Sequence, residues 1–300
     1  MSGPPGLPGL RLRAQELAPL GSLAESARVQ LCLRAREMEA ALPLALATAR
    51  PDPLHDARVA GRRLRAGITL FQRLYPGRWH ATVDLARSVT HGLRGARDLD
   101  IRRARLLRLS RRPGRAGARC RALFSRLGEE TVSARRSDAA ARALSSVGLG
   151  PVLAFLWRPR RANSADAERF ARVWLHELAV MTQNTIPVAS VEAHGGVQHR
   201  LRIRGKALRY SLEMMEWRLG GEAAWRIAVL RRAQDVLGEL HDIDVFLGYI
   251  RGEAARGAGK KRGCLRNAQN ALEQERHRHF GRFLDQREEL ERACGPLNFP

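Results

Sequence analysis

The sequence predicts an all-α protein made of two bundles of four helices each. Apolar residues recur at spacings of three and four, runs of β-branched residues are scarce, and Ala, Leu, Arg and Glu dominate the composition. The 300 residues, 44% of them apolar, are enough to bury one large core or two of ordinary size. An internal repeat indicates that the helices form two related sets.

The repeat has an offset of 144 residues. The segment H-D-A-R-V-A-G-R-R-L-R from His55 matches H-R-L-R-I-R-G-K-A-L-R from His199, with five identities in eleven positions. At the same offset a second group of residues meets its counterparts: Leu93, Asp98 and Asp100 meet Leu237, Asp242 and Asp244. Two separate matches at one offset predict a duplication. The predicted organisation is a flexible N-terminal arm at 1–19, a first repeat at 20–150, a connector at 151–162 and a second repeat at 163–300.

Each repeat contains four predicted helices. Those of the first repeat span 22–49, 53–75, 79–109 and 118–136, and those of the second span 165–186, 197–218, 222–251 and 264–292. Asp52 followed by Pro53 is typical of a helix start, and Gly195 and Gly196 open the counterpart helix. Short connections between four helices favour a bundle.

The charge balance indicates an anionic partner. The chain has 53 Lys plus Arg against 30 Asp plus Glu, which gives a net charge of +23. Only Lys206, Lys260 and Lys261 are lysines, and the other basic residues carry the guanidinium group that pairs with two phosphate oxygens at once. Nucleic acid, a membrane surface and a phosphate polymer all fit this balance.

Other classes of protein fit less well. The longest uncharged run, residues 143–157, is shorter than the roughly 18 apolar residues that a membrane span needs, so we expect no membrane partner. The first residues lack the basic start and apolar core of a signal peptide, which favours a cytoplasmic protein. The cysteines show no spacing typical of a zinc site or of a disulfide framework: Cys32, Cys120, Cys264 and Cys294.

Both matching helices carry a basic stripe. On a helical wheel two sets of four residues each fall within about 80° of one another: His55, Arg58, Arg62 and Arg65, and His199, Arg202, Lys206 and Arg209. Neither set includes an Asp or Glu that would form the usual i,i+4 pairs of a solvated face, so we interpret both stripes as anion-binding. The histidines are predicted in the first turn of their helices, where a neutral imidazole can donate a hydrogen bond to a phosphate oxygen.

The repeated aspartates allow two interpretations. In the first interpretation they form ion pairs with the arginines of their own repeat, and in the second they hold a hard cation together with a histidine. The aspartates are Asp98, Asp100, Asp242 and Asp244. Residues i and i+2 diverge by about 200° on a helix and do not face the same ion, which favours the ion-pair role. We therefore expect neither a metal nor a cofactor.

These motifs carry a family resemblance. Each repeat pairs an H-x-x-R-[VI]-x-G-[RK]-x-L-R helix with a later L-x(4)-D-[LI]-D segment, which reads LRGARDLD in the first repeat and LGELHDID in the second. Because of these two motifs the chain resembles the CHAD domain family, and the resemblance covers about residues 15–295. The resemblance implies two antiparallel four-helix bundles related by pseudo-twofold symmetry. It also implies a basic cleft that binds inorganic polyphosphate, and association with polyphosphate granules in a prokaryotic cytoplasm.

The resemblance implies a set of polyphosphate-binding residues. The two stripes match the family motifs and supply His55, Arg58, Arg62, Arg65, His199, Arg202, Lys206 and Arg209. Three further residues border the motifs: Arg63, Arg204 and Tyr210. Arg28 and Arg172, which match each other at the repeat offset, are added as residues of the first helix in each repeat.

Two rival functions fit the sequence less well. His55-Asp56 and His241-Asp242 resemble the His-Asp pairs of metal-dependent phosphohydrolases, but the repeat aligns His55 with His199, so the two pairs are not equivalent and we expect no enzyme. Aromatic residues make up only 5% of the chain, too few for the stacking platforms of single-strand nucleic-acid readers. Nonspecific nucleic-acid contact is a secondary expectation, and no obligate protein partner is evident.

Overall fold

The computed structural model describes residues 21–47, 51–77, 79–111, 123, 150–160, 163–256 and 260–297. These residues form eleven α-helices and one short 3₁₀ helix, Gln72–Leu74, with no strand among them, so the all-α prediction is confirmed. The α-helices are α1 (Leu23–Ala47), α2 (Pro51–Leu70), α3 (Trp79–Gly92), α4 (Arg94–Ser110), α5 (Gly150–Leu156), α6 (Ser164–Gln183), α7 (Ile186–Ala189), α8 (Gly195–Leu219), α9 (Gly221–Arg256), α10 (Lys260–Asp285) and α11 (Arg287–Ala293).

Most predicted helices agree with these bounds to within a few residues. The predicted helix 264–292 is divided at Gln286 into α10 and α11. The predicted arm 1–19, and the predicted helix 118–136 apart from Leu123, lie outside the described residues. The pseudo-twofold relation of the repeats stays a prediction.

The predicted helix 79–109 is wrong as a single element, because the chain bends at Leu93 between α3 and α4. The Leu93 amide still donates to the Val89 carbonyl at 3.2 Å, and Arg97 donates to the Leu93 carbonyl at 3.3 Å, so the helical bonding continues through the bend. Gly92 and Gly95 flank it, and glycine is a common cause of helix kinks. As a result α3 packs against α2, whereas α4 also reaches α9 in the second repeat.

Two glycines allow α2 to approach its neighbours closely. A Cβ on Gly61 would lie 2.9 Å from Thr90 Cγ2 on α3, and one on Gly67 would lie 2.7 Å from Leu31 Cδ2 on α1. Gly67 also faces Met214 of α8, with the added Cβ at 3.4 Å from its sulfur. Because only glycine fits at these positions without displacing a neighbour, α2 sits between α1, α3 and α8.

The hydrophobic core crosses the boundary between the repeats. The larger cluster of buried side chains includes Leu64 of the first repeat and Leu208 of the second, both fully buried. A smaller cluster joins Leu106 of α4 to Phe246 of α9. Beside it, Arg105 forms ion pairs with carboxylates of α9 and α10, which fixes α4 on the second repeat. In the part of the chain that is described, no helix is both long and apolar enough to cross a bilayer.

The predicted connector is packed against the first repeat. Helix α5 lies against α1, and its Leu156 is fully buried. The Tyr75 hydroxyl donates to the Leu156 carbonyl at 2.8 Å, and the Arg160 amide donates to the Leu74 carbonyl at 2.9 Å. Two hydrogen bonds therefore fix the segment that links the repeats to Leu74 and Tyr75, just after α2.

Candidate anion-binding cavity

A cavity of about 530 Å³ lies between the two basic helices α2 and α8 and is completed by α3, α4, α6 and α9. Seven of the eight stripe residues line it, and Arg209 is the exception. The described basic and imidazole residues of the lining are His55, Arg58, Arg62, Arg65, Arg87, His91, Arg94, Arg97, His199, Arg202, Lys206 and His241. The fold thus brings the two sequence stripes to one concave site.

The charge of this lining is strongly unbalanced. Its described residues include eight Arg or Lys side chains but only two carboxylates, Asp98 and Asp242. With Lys206 protonated and the imidazoles neutral, the lining carries a formal excess of six positive charges. Like charges gathered in a partly desolvated cavity repel one another, and a bound polyanion would relieve that repulsion.

The two carboxylates face the arginines of their own repeats. Burial lowers the pKa of Arg58 to about 10, and the nearby Asp98 acts in the opposite direction. Burial also lowers the pKa of Arg202, and the charge of Asp242 opposes that shift. This arrangement agrees with the predicted ion-pair role of the first aspartate in each motif.

The second aspartate of each motif has a different environment. Asp244 accepts a 2.6 Å hydrogen bond from Arg276 of α10 rather than from the stripe, and Asp100 is buried. Among the described residues, the group with the spacing of metal ligands is Glu239, Glu275 and His279. That group lies outside the cavity lining, and Arg105 already bridges its two carboxylates.

Several cations of the lining are not neutralised by the protein. Arg62, Arg65, Arg97 and Lys206 have no hydrogen bond or ion pair from their side chains to the described part of the chain. Arg58 is held differently, because its Nη1 donates to the Thr90 carbonyl of α3. Burial, followed by the nearby charges of Arg202 and Arg62, lowers the pKa of Lys206 to about 6. The cavity therefore has cationic hydrogen-bond donors without partners in the described residues. Burial and the neighbouring arginines oppose the protonation of Lys206.

Two histidines stack face to face in the cavity wall. The ring centroids of His199 and His241 are 3.9 Å apart at an interplanar angle of 28°. Burial, His199 and Arg202 lower the pKa of His241 to about 4, and burial and Arg202 also lower the pKa of His199. The buried Nδ1 of His199 has no hydrogen-bond partner among the described residues. The pair is therefore neutral near pH 7 and has an unused polar atom.

The prediction that the motif histidines lie in the first turn of their helices was wrong by two residues. Helix α2 begins at Pro51 and α8 at Gly195, so His55 and His199 are each the fifth residue of their helix. Their amides lie beyond the four free N–H groups of a helix start. Burial and Arg97 lower the pKa of His55, which agrees with the expected neutral imidazole. Any anion contact would come from the side chains rather than from the helix ends.

Glu213 accounts for two predicted residues that do not line the cavity. It accepts hydrogen bonds from Arg209 Nη1 at 2.7 Å and from Arg63 Nε at 3.2 Å. Glu213 lies four residues after Arg209, so the stripe of α8 does contain a carboxylate one turn beyond the motif. Tyr210 lines the cavity, but its buried ring has the guanidinium of Arg209 at 4.5 Å and that of Arg63 at 5.9 Å.

Three other predicted residues also lie outside the lining. Arg204 donates to the Met181 carbonyl at 3.2 Å and to the Thr185 hydroxyl. The guanidinium of Arg28 lies 4.2 Å from the ring centroid of Trp157, and Arg172 pairs with Glu168 at 3.0 Å. The shared offset of Arg28 and Arg172 did not bring either residue to the cavity.

Comparison with known proteins places the chain in a family. A sequence model of the CHAD domain matches residues 29–251. The chain belongs to the CHAD domain family. The predicted resemblance is thereby confirmed. No curated protein matches the sequence.

Two solved structures share the fold of this CHAD domain. One is the crystal structure of the CHAD domain from the plant Ricinus communis, with 18% identity, coverage of 93% of both chains and a TM-score of 0.65. The other is PptA from Streptomyces chartreusis, with 18% identity, coverage of 91% of this chain and 96% of that chain, and a TM-score of 0.57. At such low identity both likenesses show the fold alone.

Sequence reasoning did not assign several lining residues of this CHAD domain. Arg97 and His241 occupy the same position of the repeat, directly before Asp98 and Asp242, so the repeat itself contained a signal for them. Arg87 and His91 of α3 and Arg94 of α4 line the cavity on the two sides of the break at Leu93. No pattern in the sequence indicated that these two helices would turn toward α2.

Proposed function

We propose that this CHAD domain binds inorganic polyphosphate in the cavity between α2 and α8. The observation that carries the proposal is the excess of positive charge on a concave lining, four of whose cations have no ion-pair partner among the described residues: Arg62, Arg65, Arg97 and Lys206. Polyphosphate presents closely spaced anionic oxygens along a flexible chain, and Arg side chains contact such oxygens in pairs. The cavity supplies those donors from two helices at once.

The state of the aromatic residues supports polyphosphate over nucleic acid as the main ligand. Readers of single strands need exposed ring faces on which bases stack. Tyr210 is buried, and the guanidinium groups of Arg209 and Arg63 lie against its ring. Trp174, the other aromatic residue of the described lining, is half-buried, and its ring stacks on Phe170 at 6.2 Å between centroids. A phosphate polymer needs no stacking platform, so the cavity suits a ligand without bases.

We further propose that the ligand is bound without turnover. Hydrolysis of a phosphoanhydride requires a water activated by a base or a metal ion. Asp98 lies near Arg58 and Asp242 near Arg202. Burial raises the pKa of Asp242, and the charge of Arg202 opposes that shift. The lowered pKa values of the stacked histidines make them weak bases. Sustained release of orthophosphate by the pure protein, abolished by Asp98→Asn or Asp242→Asn, would instead identify an enzyme.

Association with polyphosphate granules in a prokaryotic cytoplasm follows as part of the same proposal. A fluorescent fusion of the full chain is expected to concentrate at granules, and its Arg58, Arg62, Arg65 triple variant is expected to remain dispersed. Granule localisation that survives the triple substitution would mean that another surface directs it.

The main test is direct competition between polyanions. Binding of labelled polyphosphate to the full chain is measured against single-stranded and duplex nucleic acid at equal total charge. We expect polyphosphate to win, to bind equally in the presence of a chelator, and to lose affinity steeply as salt rises because counter-ions are released. Displacement of polyphosphate by nucleic acid at equal charge would make nucleic acid the main ligand.

A charge-reversal variant tests the cavity itself. Arg58→Glu, Arg62→Glu and Arg65→Glu together should weaken binding by several kcal/mol, because each charge-assisted contact contributes about 1.5–3 kcal/mol. The matched control reverses Arg266, Arg278 and Arg282, which are exposed on α10 and lie outside the lining. Circular dichroism checks that both variants remain helical. An equal loss in both variants would show that net charge, not the cavity, determines binding.

A further inference from the structure

The second repeat contributes titratable groups where the first contributes permanent charge. At the repeat offset Lys206 takes the position of Arg62, and His241 takes the position of Arg97. All four side chains line the same cavity. Since a guanidinium stays protonated at all ordinary pH values whereas amines and imidazoles titrate, one wall of the cavity can change its charge.

The surroundings of Lys206 oppose its charge. Arg62 faces it from α2, Arg202 and Arg209 face it from α8, and Asp242 of α9 is the nearby carboxylate that acts in its favour. Asp242 also faces Arg202, which competes for it. Within the described residues, the Lys206 ammonium has no carboxylate of its own.

The stacked imidazoles are in a similar position. Arg94 of α4 and Arg202 and Lys206 of α8 all face the pair formed by His199 and His241, and each acts against its protonation. The α3 side of the cavity adds two more basic groups, Arg87 and His91. The described lining has only two carboxylates, Asp98 and Asp242, so a proton added to the pair meets an excess of cations until an anion enters.

We propose that the cavity takes up protons when it binds its polyanion, with Lys206 and the stacked His199 and His241 as the groups that receive them. The inference rests on the proposed function, because the bound phosphates supply the counter-charge that these three side chains lack. In the free cavity these side chains are neutral because a further positive charge would be repelled by the lining cations. In the complex they are protonated because the phosphates balance that charge.

The direction of the pH dependence follows from linkage. In the free protein the pKa of Lys206 is about 6, and a bound polyanion moves it back toward its ordinary value of 10.5. Between these values binding adds a proton, so affinity falls as pH rises. The histidines act in a lower range, since the pKa of His241 in the free protein is about 4. Near pH 8 the uptake is therefore that of Lys206 alone.

Isothermal titration calorimetry of the full chain with long-chain polyphosphate measures this uptake directly. Titrations near pH 8 are run in two buffers of different ionisation enthalpy, at a pH where terminal phosphates, with pKa values of about 6, are already ionised. We expect uptake of about one proton per site and a loss of affinity of about tenfold per pH unit around that pH.

Variants assign the uptake to named groups. Lys206→Arg keeps a cation that does not titrate and should abolish the uptake near pH 8. The His199→Gln, His241→Gln double variant should keep that uptake and reduce the additional uptake near pH 5.5. The control is His176→Gln, an exposed histidine of α6 outside the lining, which should change neither.

The outcomes separate this inference from the proposed function. Binding by the wild-type protein with heats that do not depend on the buffer, and with an affinity that is flat around pH 8, would overturn the inference and leave polyphosphate binding intact. Full uptake in Lys206→Arg would overturn the assignment to Lys206. An absence of polyphosphate binding at every pH would overturn the proposed function and this inference together.

Discussion

The basic helices α2 and α8 carry the same motif but present different charge to the cavity. Arg65 of α2 lines the cavity, whereas its counterpart Arg209 is bound to Glu213. The residue that makes this difference is four positions further on in each helix, where α2 has Thr69 and α8 has Glu213. A single position of the repeat therefore decides whether the arginine one turn before it faces the cavity.

The same difference has a structural benefit. Glu213 of α8 also forms an ion pair with Arg63 of α2. The side chains of Glu213, Arg63 and Arg209 are only 11–15% exposed. Ion pairs at this depth hold their partners in place because removing one of them leaves a desolvated charge. At this position α2 thus presents a cation to the cavity, and α8 supplies the ion pair that links the two helices.

The largest expected effect separates permanent from titratable charge at the position shared by Arg62 and Lys206. Arg62→Gln should weaken polyphosphate binding by about 10- to 100-fold, the equivalent of a charge-assisted contact, by the same factor at pH 7 and pH 9. Lys206→Gln should show a loss that shrinks as pH rises, because the wild-type lysine itself becomes harder to protonate. Binding curves at both pH values measure this. Identical pH profiles for the two variants would remove the distinction between the repeats.

A smaller effect is expected when the first repeat is given the carboxylate of the second. Thr69→Glu places an acid four residues after Arg65, as Glu213 follows Arg209, and should pair with that arginine. We expect affinity to fall about five- to tenfold and the salt dependence to decrease by about one counter-ion. Thr69→Gln is the isosteric control. An unchanged salt slope in Thr69→Glu would mean that Arg65 does not contact the ligand.

The stability of the unliganded protein should respond to pH in the opposite direction to binding. The pKa of Lys206 is lowered in the folded state to about 6, so between that pH and its ordinary pKa the unfolded chain binds more protons and stability rises with pH. The melting temperature of the wild type should therefore increase from about pH 6.5 to pH 9 by roughly 5–10 °C more than that of Lys206→Met. Thermal denaturation without polyphosphate measures the two curves. Parallel curves would show that Lys206 is protonated in the free protein.

The smallest effect is expected at the residues that match across the repeats but lie outside the cavity. Arg28→Ala and Arg172→Ala should change polyphosphate affinity by less than about twofold and stability by no more than about 1 kcal/mol, as for other partly exposed ion pairs and cation contacts. Affinity and chemical denaturation are measured on each variant. A loss as large as that of Arg62→Gln would place them in the binding site after all.

Much of the site followed from the sequence. The stripes were predicted from helical periodicity, and seven of their eight residues line one cavity. Arg209 was predicted to line the cavity because the motif considered ended at Arg209. Its ion-pair partner Glu213 lies one turn further along the helix. Arg28 and Arg172 were misplaced because a shared offset shows that two residues occupy equivalent positions in the chain, and does not show which side of the helix meets the cavity.

The sequence by itself determined the helical class, the family and the side of α2 and α8 that carries charge, because these depend on local periodicity and on residues close together in the chain. Only the tertiary structure decided that Arg94 and Arg97 line the cavity, that His241 stacks on His199, and that Lys206 has no carboxylate partner within the described residues. These features depend on the distances between helices and on the loss of water around charged groups. Both are set by packing between distant parts of the chain, which no local pattern records.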